Sequence, residues 1–243
     1  MRLEIAVTGP AGARAAAAHG ADRVELCSAL ELGGLTPSAG LVESVLTAGL
    51  PVHVLIRCRP GDFVFSEDEV ELMTRDVARL VEQGVSGVVV GALTPDGAVD
   101  KAALSRWVNA ADDRVEVTFH RAVDRTANPA ASVVSIASSG ISRVLSSGGA
   151  ARAGDGAGEL TRMRLAAPEL GITAGGGVRV EDIGRLTGAG VEGIHLSAKR
   201  IVTVPGETGV RLGVSDDGGH WDTDPELVAA ARAELDAALR PTG

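Results

Sequence analysis

Short stretches of β-branched and other apolar residues recur along the chain, and each is followed by a segment of helical character. Within a stretch, apolar positions alternate with polar ones, as at Leu3, Ile5 and Val7 around Glu4. This is the period of a β-strand whose two faces meet different surroundings. We predict eight strands, at about Leu3–Val7, Arg23–Cys27, Val52–Arg57, Gly87–Gly91, Val115–His120, Arg143–Ser146, Gly171–Ala174 and Gly193–Ser197.

The segments between the strands carry helix-start patterns. Ser66 with Glu69 predicts a capping box, and Asn128–Pro129 and Asp224–Pro225 predict an N-cap followed by a proline in the first helical turn. Strand–helix alternation repeated eight times, with no break in composition, predicts an α/β protein that folds as a (β/α)8 TIM-type barrel. We expect a single domain over residues 1–243. An open, doubly wound sheet is the alternative, and it would need a switch-point crevice that no sequence feature indicates.

Residues 199–223 contain no helical pattern. Long segments without helix in compact domains are usually functional or mobile. Because this segment follows the eighth strand, we expect an irregular loop, either a flap over the barrel mouth or a contact between subunits.

Strand residues in a barrel point alternately to the surrounding helices and to the lumen. The apolar residues fix the helix-facing positions, so the polar residues between them face inward. The inward-facing ionisable and thiol groups are Glu4, Glu25, Cys27, His53, Arg57, His120 and His195. An ordinary lumen is filled with bulky branched side chains, and a buried, unpartnered carboxylate is costly. Either of two histidines, His53 or His195, would alone be an ordinary core residue, but the set together predicts mutual pairing or a ligand site.

Barrel chemistry takes place at the C-terminal ends of the strands. Cys27, Arg121 and Ser197 are expected there, and Glu25 is expected one layer deeper. A carboxyl and a facing imidazole can exchange a proton, and arginines can hold a carboxylate or phosphate in bidentate fashion. The candidate catalytic residues are therefore Glu25, His120, Arg57, Arg59 and Asp124.

Glycine-rich loops follow the last three strands. In barrels these loops frequently bind phosphate through backbone N–H groups, although glycines can also serve simply as tight connections. The candidate anion-binding residues are Ser147, Gly148, Gly149, Gly175, Gly176, Gly177 and Ser197.

Composition narrows the range of partners. The formal net charge is −9, aromatic residues make up 2 %, and tyrosine is absent, so binding to nucleic acid is not expected. The N-terminal apolar run stops at Gly9, too short for a signal peptide or a membrane span. Cys27 and Cys58 do not form a disulfide framework. We expect a cytoplasmic protein with no membrane contact that binds a small anionic molecule.

Six motifs in order make the chain resemble the CutC family, the so-called copper homeostasis proteins. They run from the first strand region to the seventh and are "ADRVELCSALELGGLTPS", "PVHVLIRCRPGDFVFSEDE", "VVVGALTPDGAVD", "VTFHRAVD", "RVLSSGGA" and "GGGV". The resemblance extends through about Ser197 and is weak over the last forty or so residues. It implies a cytoplasmic TIM-type barrel, commonly a homo-oligomer such as a dimer or tetramer, associated with copper handling.

Copper binding in the family is associated with two cysteines, and the resemblance implies Cys27 as a Cu(I) ligand. The other family cysteine lies two residues after the position of Glu4, where this chain has Ala6. Cys58 falls out of phase with the lumen, and the methionines fall on no lumen-facing strand position. Cu(I) prefers two or three soft ligands, so Cys27 is equally consistent with a small buried apolar residue.

Two classes of function stay open. One is copper binding, as the family name implies. The other is an enzyme that acts on a small phosphorylated or carboxylated metabolite. A Schiff-base aldolase needs a lysine at the mouth, and Lys199 is the only lysine near it, so isomerase- or lyase-type proton transfer is favoured over a lysine aldolase. A third, weaker hypothesis is a divalent metal held by residues such as Glu4, Glu25 and His53.

Overall fold

The computed structural model describes residues 1–203 and 219–240 and confirms the predicted (β/α)8 barrel. Eight parallel strands close in sequence order, and the last strand pairs with the first. The strands are β1 (Arg2–Val7), β2 (Arg23–Leu26), β3 (Val52–Leu55), β4 (Gly87–Val90), β5 (Glu116–Phe119), β6 (Arg143–Ser146), β7 (Gly171–Gly175) and β8 (Gly193–Leu196).

Helices on the outside connect the strands. They are α1 (Pro10–Ala18), α2 (Ala39–Leu46), α3 (Glu67–Gln83), α4 (Lys101–Ala111), α5 (Pro129–Ala137), α6 (Ala157–Ala166), α7 (Ile183–Gly188) and α8 (Pro225–Ala238). The capping box of Ser66 and Glu69 opens α3. Asn128 and Asp224 accept backbone N–H groups at the starts of α5 and α8. The helix-start predictions are therefore confirmed.

The apolar strand positions pack between the barrel and its helices. Leu3, Ile5 and Val24 are fully buried there in one continuous core. On the lumen side, Cys27, Leu55 and Val89 form a separate small cluster. The strand residues predicted to face the helices therefore do so in the structure, and those predicted to face the lumen lie on the opposite side.

Strand β3 is two residues shorter than predicted. The Arg57 backbone N–H donates to Thr36 Oγ1 at 2.9 Å, and the Arg57 carbonyl accepts from the Thr36 backbone at 3.0 Å. The chain therefore leaves the barrel ladder to pair with the loop after β2, although the Arg57 side chain still lies at the mouth.

After β8 the chain forms an antiparallel hairpin of β9 (Lys199–Thr203) and β10 (Gly219–Thr223). Gly12 in α1 packs directly against Thr223 of this hairpin. The remainder of the segment expected to be a flap or subunit contact lies outside the described residues, and either role stays a prediction. Within the described ranges, no helix is both long and apolar enough to cross a bilayer.

Candidate functional site

A cavity of about 290 Å³ opens at the C-terminal mouth of the barrel. Its lining includes many of the residues predicted from the sequence. These are Glu25, Cys27, Arg57, His120, Arg121, Gly176, Gly177, His195 and Ser197. The volume lies at the lower end of the range for small-molecule pockets. The fold therefore brings residues from separate strands together at one site, as the phase predicted.

Arg57 is a buried cation, 6 % exposed. Its guanidinium donates to the backbone carbonyls of Leu32, Gly34 and Gly61 at 3.2, 3.4 and 2.9 Å. Phe63 packs against it, with 5.0 Å between Cζ and the ring centre. Its Nε has no hydrogen-bond partner among the described residues, nor does Arg57 form an ion pair with any of their carboxylates. Neutral carbonyls hold the side chain in place, and Asp62, which pairs with Arg59, acts on its charge only from beyond ion-pair distance.

His120 lies beside Arg57 at the end of β5. Its Nδ1 accepts the backbone N–H of Ala122 at 3.2 Å, so the proton of the neutral ring is on Nε2. That Nε2 is buried without a partner among the described residues. Burial, reinforced by the charge of Arg57, lowers the pKa of His120 to about 3. At neutral pH this imidazole is therefore a neutral hydrogen-bond donor.

The floor of the cavity is formed by Glu25 and His195, with Glu4 below them. His195 Nδ1 lies 2.7 Å from Glu4 Oε1, and one oxygen of Glu25 is buried without a partner in the described part of the chain. Burial, together with the charge of Glu4, raises the pKa of Glu25 to about 7. Burial also opposes the charged form of Glu4, but His195 and Arg23 outweigh it and lower the pKa of Glu4. Glu25 is thus the carboxyl in this group that can carry a proton near neutral pH.

Below this floor, a network of charged side chains fills the lumen. Arg23 pairs with Glu4, and Arg143 Nη1 contacts Glu116 Oε2 at 2.6 Å. His53 lies 3.6 Å from the same Glu116 oxygen, and burial lowers the pKa of His53 to about 4. Glu4 and His53 therefore face other charged side chains of the barrel rather than the cavity.

Arg23 and Arg143 were missed in the sequence. Both side chains are buried in the lumen. Arg23 lies two positions before Glu25 on the same strand, so the alternation that identified Glu25 as inward-facing also applies to Arg23. Extending the alternation to the first residue of each strand would have found them. Phe63 comes from the loop after β3 and carried no periodic signal.

Asp124 lies outside the cavity lining, where it fills the predicted anion loop after β6. It accepts the backbone N–H groups of Ser147 at 3.0 Å and Gly149 at 3.1 Å, and the hydroxyl of Ser146 at 2.6 Å. Gly148, in the same loop, packs against the backbone of Gly156. The donors expected to hold a ligand phosphate are therefore already engaged by a carboxylate of the protein.

The loop after β7 is placed differently. Gly176 and Gly177 line the cavity and have φ values of +104° and +59°. Gly175 lies one step deeper and packs against His195 and Leu145. A Cβ at Gly176 would lie 2.6 Å from Cζ of Arg121, so glycine is what lets that guanidinium cross to this side of the mouth.

Arg59 is also outside the cavity lining. Its guanidinium pairs with Glu69 of the α3 capping box and with Asp62 at 3.1 Å. Phe65 lies beneath it at 5.0 Å. Arg59 thus organises the loop between β3 and α3.

The residues around Cys27 do not fit Cu(I). Cys27 is 1 % exposed and packs with Leu55 and Val89, and burial raises the pKa of its thiol to about 12. Ala6, at the other family cysteine position, lines the same cavity. One thiol with apolar neighbours offers fewer soft donors than the two or three that Cu(I) prefers.

A harder donor set lies nearby. Glu4, Glu25 and His195 offer ligand atoms within 4.8 Å of one another, with His195 in place of the expected His53. Arg23 and His195 already neutralise Glu4. Glu4 is therefore already satisfied by the protein, which leaves Glu25 as the member of the group with an unpartnered oxygen among the described residues.

The fold and the cavity define the class of protein: a TIM-type barrel with a ligand-sized cavity at its C-terminal mouth. The chain belongs to the CutC family, whose model matches residues 1–200. A relative from Agrobacterium fabrum, described as a family protein CutC, is 40 % identical to this chain over 240 residues, which cover 98 % of this chain and 95 % of the relative. Another, from Xanthomonas campestris pv. campestris, is 43 % identical, covering 82 % and 84 %.

One solved structure agrees with this assignment, and a second shares the fold alone. A CutC protein from Streptococcus agalactiae, named for copper homeostasis, superposes with a TM-score of 0.75 at 27 % identity, covering 81 % of this chain and 99 % of that one. 3-Hexulose-6-phosphate synthase shares the fold with a TM-score of 0.62 at 17 % identity, covering 99 % and 100 %. The CutC resemblance predicted from the sequence is therefore confirmed.

Proposed function

We propose that this CutC-family protein binds a small organic anion in the cavity at the barrel mouth. The observation that carries the proposal is the state of Arg57: a cation 6 % exposed, held by backbone carbonyls and not paired with any carboxylate of the described residues. A buried charge without a counter-ion is costly. A ligand carboxylate or phosphate would supply that counter-ion and could accept from Nε.

Two further buried atoms support the same proposal. The unpartnered atoms of His120 (Nε2) and Glu25 (one carboxyl oxygen) belong to residues that line the same cavity. A polar ligand would accept a hydrogen bond from His120 and exchange one with Glu25. Unpartnered buried groups that converge on a single cavity are typical of binding sites.

The test is isothermal titration with inorganic phosphate and with short carboxylates at fixed ionic strength. We expect Arg57→Met to weaken binding at least about tenfold, because it removes the charge-assisted hydrogen bonds. Arg75→Met is the matched control, since Arg75 is an exposed arginine on α3 outside the cavity lining. Arg57→Lys, which keeps the charge, should retain part of the affinity. Equal binding by the wild type and a folded Arg57→Met protein would refute the proposal.

Proton transfer on the bound molecule is a second candidate function. It is favoured by one observation: a cavity-floor carboxyl, Glu25, whose pKa is raised to about 7. A group that titrates near the working pH is suited to general acid–base catalysis. The test is proton–deuterium exchange at the carbon next to the carbonyl of dihydroxyacetone phosphate in D₂O. Exchange that Glu25→Gln abolishes would support this function, and an absence of exchange by the wild type would count against it.

Copper binding, a cytoplasmic location and homo-oligomerisation remain predictions drawn from the sequence and the family. The environment of Cys27 does not support copper binding. A Cu(I) titration, set out in the Discussion, separates copper binding from anion binding.

A further inference from the structure

We infer that the natural ligand carries two anionic groups, one at each end of a short carbon chain, and that the cavity holds the two ends on opposite walls. This inference rests on the proposed function and extends it to a substrate class. It follows from where the cationic side chains stand around the mouth.

The first cationic wall is formed by Arg57. Its guanidinium leans toward the loop after β2, where Nη1 donates to Leu32 and a Cβ at Gly33 would lie 3.2 Å away from that nitrogen. Arg57 therefore occupies the sector of the mouth between β2 and β3.

The second cationic wall is formed by Arg121. Its Nε donates to Asp124 Oδ2 at 2.9 Å and its Nη2 to Ser147 Oγ at 3.0 Å. The guanidinium rests on Gly176, in the loop after β7. Arg121 starts at the end of β5 but thus places its charge in the sector between β6 and β7.

Asp124 forms an ion pair with Arg121 and offsets its charge. The same carboxylate also accepts from the backbone N–H groups of Ser147 and Gly149 and from the Ser146 hydroxyl, which are neutral donors. Lys199, at the base of the hairpin, lines the cavity on the adjoining β8 side and adds a second positive charge. With Arg121 and Lys199 against the single negative charge of Asp124, the second wall keeps a net positive charge that an anion can balance.

The two walls face each other across the barrel. The strands close in sequence order, so four strands separate the β2–β3 sector from the β6–β7 sector. In a ring of eight, four steps is the opposite side. One compact anion at Arg57 would therefore leave the net positive charge of the second wall unbalanced, and one at the second wall would leave Arg57 without a counter-ion.

The space between the walls is suited to a short carbon skeleton. Apolar side chains of Leu55 and Leu145 line it, together with Cys27 and Ala6. The floor offers the carboxyl of Glu25 and the ring of His195 for a hydroxyl or carbonyl on that skeleton. The arrangement fits a dicarboxylate or a phosphorylated carboxylic acid bearing a central oxygen.

The test compares matched pairs of ligands on wild-type protein by isothermal titration: butyrate with succinate, pentanoate with glutarate, and methyl phosphate with 2-phosphoglycolate. We expect at least one probe with an anionic group at each end to bind ten times more tightly than its partner with one anionic group, with an optimum at one chain length. The wild-type series does not depend on any variant folding correctly.

Three variants then assign the two ends. Arg57→Met and Arg121→Met should each bring the ratio within a pair close to one, whereas Arg75→Met, which removes an exposed charge on α3, should leave it unchanged. Equal affinities within every pair on the wild type would overturn the inference while leaving anion binding intact. An unchanged ratio in folded Arg121→Met would overturn it as well. If no probe binds at all, the proposed function itself fails.

Discussion

At the scale of single residues, the chemistry of the site depends on how burial treats each ionisable group. Glu4 and Glu25 both face the lumen, yet their pKa values move in opposite directions. Glu4 has Arg23 and His195 as partners, whereas Glu25 keeps an oxygen without one among the described residues. Two carboxyls with divergent pKa values can divide structural and acid–base roles between them.

The raised pKa of Glu25 predicts a pH-dependent stability. Burial lifts the pKa of Glu25 from 4.5 to about 7, so the folded protein binds this proton more tightly than the unfolded chain does. The stabilisation from the protonated carboxyl is complete at pH values below the pKa of Glu25 in the unfolded chain. It is lost as the pH rises through the pKa of Glu25 in the folded protein. The loss approaches about 3 kcal/mol.

Glu25→Gln removes this titration. We expect the variant to gain free energy of unfolding relative to the wild type as the pH rises from about 5 to 8. Urea denaturation at several pH values measures the difference, and Glu82→Gln, an exposed change on α3, is the control. A difference between wild type and Glu25→Gln that stays constant with pH would contradict the assignment.

Cys27 gives a second prediction at this scale. Burial raises the pKa of its thiol to about 12, so we expect no reaction with a thiol reagent in the native protein at pH 8. Because Leu55, Val89 and Ala6 supply no second soft donor, we also expect no tight Cu(I) site. Cys58 is partly exposed and should react first. Competition with a chromogenic Cu(I) chelator under reducing conditions measures the affinity. Tight binding that Cys27→Ser abolishes would restore the copper interpretation.

At the scale of elements, the loop after β6 is organised by a residue that follows β5. The Asp124 side chain is 7 % exposed and makes its hydrogen bonds to Ser147, Gly149 and Ser146 across 22 to 25 residues of sequence. The same carboxylate holds Arg121 in place. One buried carboxylate therefore joins two βα loops and sets the position of a cavity-lining cation.

Asp124→Asn should cost about 3 kcal/mol of unfolding free energy, because an amide nitrogen would face backbone N–H donors that need an acceptor. Asp155→Asn, an exposed change near the same loop, should cost little. Chemical denaturation measures both. A destabilisation no greater than that of the control would show that the loop does not depend on this carboxylate.

At the scale of the whole molecule, the eightfold repeat of strands and helices was enough to predict the closed barrel. The alternation of apolar and polar residues was enough to predict the inward direction of Glu25, Cys27 and His120. The period of two fixes which face a strand residue occupies, whatever the rest of the chain does. Burial of Leu3 and Ile5 against helices has the same origin.

The parts that failed depend on contacts between distant segments. Arg59 lies two positions after Arg57, but the intervening loop turns it toward Glu69. The loops after β6 and β7 are both rich in glycine in the sequence. In the structure, Asp124 accepts the backbone N–H groups of the loop after β6, whereas Gly176 and Gly177 of the loop after β7 line the cavity. No local pattern encodes which loops touch, so the sequence could name the candidates without separating those that line the cavity from those that support it.

The central claim is that Arg57 provides the counter-charge for a bound anion at the barrel mouth. Anomalous diffraction from crystals soaked in selenate tests it most directly. We predict a selenium peak placing the anion within hydrogen-bond distance of Arg57 Nε, and none at Ser147–Gly149, where Asp124 takes the donors. Selenate bound at the Ser147–Gly149 loop, or a mouth without any peak, would contradict the account.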